Sequence, residues 1–104
     1  MKQVIEGRLY NTETAKMVGE VEARGYSSVT DFSFWHGTLY HTKSGRYFVA
    51  GSGGPATMFG RPSGNMTTGG SGIVALGGEE ARSIAEDSQL SVEVLQAHFT
   101  IEEA

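Results

Sequence analysis

FSFWHGTLYHTKSGRYFVA, residues 32–50, has the composition of a β-hairpin. Aromatic and β-branched residues crowd both halves, and Tyr40, Tyr47, Phe48 and Val49 carry high strand preference. Ser44-Gly45 supplies a short turn in which Gly45 can take a positive φ. Gly37 interrupts the first strand and marks a bulge or bend. Reading outward toward the N-terminus, residues 4–23 predict another hairpin. Ile5, Leu9, Ala15, Met17 and Val21 recur at even spacing, with Glu6, Arg8, Lys16, Glu20 and Glu22 mostly in the alternate slots. Asn11-Thr12-Glu13-Thr14 supplies turn chemistry within it, and Gly25 to Asp31 reads as a connecting loop.

Toward the C-terminus the character changes. Ten glycines fall between Gly51 and Gly78, together with Pro55 and Pro62, the only prolines. Residues 51–72 therefore read as a loop of about 20 residues, a length that in compact domains belongs to functional or mobile segments. Ile73-Val74-Ala75-Leu76 follows as a short apolar run suited to a buried central strand. Gly77-Gly78 then leads into a helix opened by Glu79-Glu80, in which Ala81, Ile84, Ala85 and Ser88 share one face. A break near Asp87–Gln89 precedes a second helix capped by Ser91, with Val92, Leu95 and Phe99 along one side. The order predicts an α+β fold: an antiparallel sheet of about five strands, covered on one face, with two short C-terminal helices.

The chain has 104 residues and no cysteine. That length suits a single domain spanning 1–104, burying roughly 65% of its unfolded surface. Disulfides, cysteine metal sites and thiol nucleophiles are excluded. Lack of cysteine fits a reducing, cytoplasmic setting. No apolar run reaches the ~20 residues of a membrane span, and MKQVIEGRLY at the N-terminus lacks the apolar stretch of a signal peptide. The expectation is a protein without a membrane partner.

The formal net charge of −4 conceals a division. Residues 1–76 sum to +2 and residues 77–104 to −6, and no acid occurs from Phe32 to Gly78. Such asymmetry points to a charged partner surface.

Chemistry-bearing motifs are sparse. His36 and His41 are five apart, which on one regular strand sends them to opposite faces, and His98 lies far along the chain. No HExxH or H-x₃-H pattern exists, so no metal and no cofactor are expected. There is no G-x-S-x-G, and neither Asp31 nor Asp87 is tied by motif to a histidine. GSGGP and TTGGSG lack the lysine and the strand–loop–helix order of a phosphate loop. Nothing here calls for an enzyme. Aromatics interleaved with Lys43 and Arg46 resemble single-strand recognition, but a sequence pI of about 5.3 argues against direct nucleic-acid binding.

Four stretches resemble a recurrent group of small proteins of plasmids, conjugative elements and phages of anaerobic bacteria: LYNTETA at 9–15, GYSSVTDF at 25–32, TLYHTKSGRYFVAGSGG at 38–54 and GGSGIVALGGEEARSIAE at 69–86. The chain departs from that pattern at Ala75, where the group often has proline, and in a shorter acidic helix. The resemblance implies a mobile-element accessory protein rather than a housekeeping enzyme. By association with that setting, it implies an inhibitor of host defence of the anti-CRISPR type. On that reading Glu79, Glu80, Glu86, Asp87 and Glu93 are the partner-binding residues, their carboxylates standing in for phosphates before a basic channel of a host protein. The alternative is a single-stranded nucleic-acid or regulatory module anchored by Trp35, Tyr40 and Tyr47.

Overall fold

The structure, a computed structural model, describes residues 1–23 and 33–104. The predicted loop from Gly25 to Asp31 lies outside the described residues, as does Phe32 at the head of the aromatic stretch.

The fold is α+β and antiparallel, as the sequence predicts. Its centre is a sheet of four strands, β3 (Lys16–Glu22), β4 (Trp35–His41), β5 (Tyr47–Gly53) and β8 (Gly70–Leu76), in that order across the sheet. β4 and β5 form the expected hairpin, with His41 opposite Tyr47, Leu39 opposite Val49 and Gly45 at φ 90° in the turn. Two small ribbons accompany the sheet: β1 (Lys2–Ile5) with β2 (Arg8–Asn11), and β6 (Arg61–Ser63) with β7 (Met66–Thr68).

The N-terminal segment departs from the predicted hairpin. Its chain reversal is at Glu6-Gly7, both at positive φ, the backbone that suits the twist of a two-residue hairpin. Asn11 still makes a turn, its Oδ1 accepting from the Glu13 N–H at 2.9 Å, but this turn carries the chain from β2 into the main sheet. Because the reversal comes early, Tyr10 is buried and Leu9 faces out at 59% exposure. A register shift between Met17 and Gly19 flips parity again, so Val18 is buried and Met17 exposed. Gly37 is not the bulge. It stays in register between Val21 and Gly51, and a Cβ there would lie 2.6 Å from the Ala50 carbonyl oxygen. Glycine is required at this position by close approach of the neighbouring strand.

The glycine-rich stretch is also more ordered than a loop of about 20 residues. β5 continues through Gly53 and β8 starts at Gly70, so Gly51 opposes Gly72 and Gly53 opposes Gly70. Strand pairing satisfies backbone polar groups whether or not side chains are present. The remaining excursion folds into β6–β7 and is pinned by Phe59, 3% exposed, whose ring lies 6.2 Å from that of Trp35.

Ile73-Val74-Ala75-Leu76 is a strand, but it occupies an edge and not the centre of the sheet. Its exposed edge is occupied by side chains: Gln3 Oε1 accepts from the Ile73 N–H at 3.3 Å, and an Arg61 guanidinium nitrogen donates to the Ser71 carbonyl at 2.8 Å. At the other edge, Ser88 Oγ accepts from the Glu22 N–H at 3.1 Å. Occupied edges resist pairing with another chain.

Both faces of the sheet are covered, not one. Helices α1 (Gly78–Asp87) and α2 (Val92–His98) pack on the face bearing Leu39, Val49 and Leu76, with Ala81 and Ala85 fully buried. Tyr10, Ile5 and Ala15 pack on the opposite face against Phe48 and Ile73. Ser91 caps α2 as predicted, its Oγ accepting from the Val94 N–H at 3.2 Å. The buried side of α2 is set by Val94 and Leu95, while Val92 is 63% exposed. Gln89, at φ 60°, makes the break between the helices.

Candidate functional site

α1 turns its two alanines to the sheet, which sends Glu79, Glu86 and their neighbours outward. Helical spacing places Glu79 and Glu86 two turns apart on one line, and Glu80 and Asp87 on an adjacent line. Glu79, Glu80, Glu86, Asp87 and Glu93 are all exposed. Arg82 stands between the turns and pairs with Glu86 at 3.2 Å. Glu79 and Glu80 lie in the first turn of α1, and Glu93 in the first turn of α2, where the helix dipole favours negative charge. Glu86 and Asp87 lie at the other end of α1, whose last turn has no basic residue. There the dipole opposes them, by about 0.3–1 kcal/mol per charge. For Glu86 the i,i+4 pair with Arg82 offsets that cost.

The three aromatics of the alternative surface are engaged in packing. Trp35 is half-buried against Phe59 in the helix-side core. Tyr40 stacks on Phe48 with centroids 5.0 Å apart and planes 12° apart. Tyr47 is buried between His41, at 4.3 Å and 15°, and Phe99, at 5.0 Å and 16°. Alternation along β4 and β5 sends them to different faces of the sheet, so they do not form one exposed platform.

Around Tyr47 the structure assembles a cluster that sequence spacing does not reveal. His41 Nδ1 lies 3.0 Å from His98 Nδ1, joining the end of β4 to the end of α2. The Tyr47 hydroxyl donates to the His98 carbonyl oxygen. Burial lowers the His41 pKa below its ordinary value, and the nearby Lys16 ammonium adds to the effect. Burial also lowers that of His98, helped by His41 and Lys16. Burial raises the Tyr47 pKa. All three groups are thereby held in their uncharged forms near neutral pH, which suits a contact in which one imidazole donates and the other accepts. On the opposite, ribbon-side face of the sheet, His36 is exposed and its Nε2 lies 3.3 Å from Ser52 Oγ.

Two depressions flank the cluster. One, of about 570 Å³, is lined by Tyr47, Gly78, Glu79, Arg82 and residues 96–100. The other, of about 370 Å³, is lined by Thr14, Ala15, Lys16, His41, Thr42 and Lys43. Among the described residues no three His, Cys, Asp or Glu side chains converge as metal ligands. No helix among them is long and apolar enough to cross a membrane.

The fold and site thus define a small antiparallel α+β domain with a carboxylate-bearing helical layer and a histidine-linked helix. No family model, curated protein or solved structure matches the chain.

Proposed function

We propose that this protein is a non-enzymatic binding protein that acts by occlusion, its acidic helical layer covering a basic surface on a partner protein. The phage and mobile-element resemblance makes that partner a host defence effector of the CRISPR–Cas kind, with a cytoplasmic site of action. The observation that carries the reading is the exposure of Glu79, Glu80, Glu86, Asp87 and Glu93 on the two helices of a segment, residues 77–104, whose charges sum to −6. Exposure of all five carboxylates on the helices, together with the use of Trp35, Tyr40 and Tyr47 in internal packing, favours the acidic layer over the aromatic hairpin as the interface.

The test combines capture of partners from host lysate with binding kinetics on the purified partner. Reversing Glu86→Lys and Asp87→Lys together removes two negative charges and places positive ones where the dipole favours them. The variant loses the Arg82–Glu86 pair but is expected to stay folded, and to associate ~10-fold or more slowly at low salt, because rim charges act through steering. Raising ionic strength to 1 M, where the Debye length falls to ~3 Å, is expected to slow the wild type toward the variant. Unchanged association by the double variant at every salt concentration overturns the reading. Loss of binding in a folded Trp35→Ala variant alone would move the interface to the hairpin.

A further inference from the structure

We propose that the depression between the β2–β3 turn and the β4–β5 turn is a binding site for a small phosphate-class dianion. Its lining, Lys16, Lys43, His41, Thr14, Thr42 and Ala15, offers two ammonium groups, an imidazole and two hydroxyls, and no carboxylate. Register builds it: Lys16 opens β3 directly opposite His41, the last residue of β4, and Thr42-Lys43 continue into the turn. The volume of about 370 Å³ accommodates a tetrahedral anion and a modest substituent.

Three further observations fit an anion. Among the described residues, neither lysine makes an ion pair with a carboxylate, whereas Arg82 does. The Lys16 ammonium acts on both His41 and His98, adding to the burial that lowers their pKa values. Thr42 Oγ1 accepts from the Arg46 N–H at 2.9 Å and lies 3.1 Å from Ser44 Oγ, which leaves its own hydrogen free to donate to either Ser44 or a ligand. The groups facing His41 are Lys16 from β3, Tyr47 from β5 and His98 from α2, with Lys43 from the turn sharing the lining of the depression. A dianion there offsets the lysine field and favours the protonated imidazole. By linkage, anion affinity rises as pH falls through the His41 titration. This site is separate from the acidic helical layer and does not depend on the partner reading.

Sulfate is the first probe, because its charge does not change between pH 5 and 8. Titrated into the full chain at constant ionic strength, with chloride as the control, it is expected to shift the amides of residues 14–16 and 41–43 along a saturating curve in the millimolar range, and to raise the His41 pKa. Lys16→Gln is expected to weaken binding roughly tenfold, the loss of one charge-assisted contact. Inorganic phosphate and adenosine monophosphate then separate the sources: equal affinity assigns a free anion, and tighter binding of the nucleotide assigns a phosphate monoester. Shifts no larger than those from chloride, or a His41 pKa that sulfate leaves unmoved, overturn the proposal without recourse to any variant. Unchanged affinity in a folded Lys16→Gln, Lys43→Gln double variant does the same.

Discussion

The two faces of the four-stranded sheet are built on different plans. On the helical face the core is broad and aliphatic: Leu39 and Val49 are fully buried under Ala81 and Ala85, whose small side chains let α1 approach closely. On the other face the core is narrow and aromatic. Phe48 meets Tyr10 edge-on at 5.5 Å and 76°, and Tyr40 in a stack at 5.0 Å. The helical face is closed by two amphipathic elements and carries the titratable cluster at its rim. The ribbon face is closed by β1–β2, which buries Tyr10 and leaves Val4 and Leu9, paired in register, facing out. A sheet whose second face rests on one aromatic cluster concentrates that face's stability in few side chains, whereas the helical face spreads it.

The largest effect expected from this contrast is at Phe48. Phe48→Ala removes the ring that both Tyr10 and Tyr40 pack against and is expected to cost about 3–5 kcal/mol, read by urea denaturation. A cost below that of a single helix-side leucine would break the comparison. Leu76→Ala samples the helical face at its edge strand, where the side chain is 8% exposed, and about 2–4 kcal/mol is expected. A loss under about 0.5 kcal/mol would place the residue at the surface.

The titratable cluster sharpens the contrast further, because only the helical face carries it. The folded state holds His41 and His98 below their ordinary value of 6.5, so the unfolded chain binds protons more readily. The stability they contribute is complete above about pH 6.5 and is lost as pH falls through their lowered folded values. Tyr47 works in the opposite sense: its pKa is raised above 10.0, so its contribution is complete below pH 10 and is lost at higher pH. Melting temperature against pH is expected to decline on both sides, the acid limb flattening in a His41→Asn, His98→Asn variant. Tyr47→Phe, which deletes the bond to the His98 carbonyl, is expected to cost about 0.5–1.5 kcal/mol and to flatten the alkaline limb. The smallest effect belongs to Leu9→Ser on the outward side of the ribbon, where stability is expected to stay within about 0.5 kcal/mol of the wild type.

The β4–β5 hairpin, the strand at Ile73–Leu76, both helices and the Ser91 cap follow from the sequence alone, because each rests on interactions within a few residues. Local turn chemistry, period-2 or helical patterning and side-chain caps all act at short range. Glu86 and Asp87 were likewise legible as members of an acidic helix, although their opposition to its dipole required the observed helix end. Other features depended on tertiary structure. Leu9 and Tyr10, or Met17 and Val18, compete for the core on equal terms until the Glu6-Gly7 reversal and the Met17–Gly19 register shift choose between them. The edge position of β8 depends on which elements cover which face, information spread over the whole chain. His41 and His98 are 57 residues apart, and no spacing rule links them. Packing of Val94 and Leu95 against the sheet brings the two imidazoles together, and strand register alone sets Lys16 beside His41. Short-range preferences are written residue by residue, whereas a site made from the ends of two strands and a helix exists only after hydrophobic burial has fixed how those elements meet.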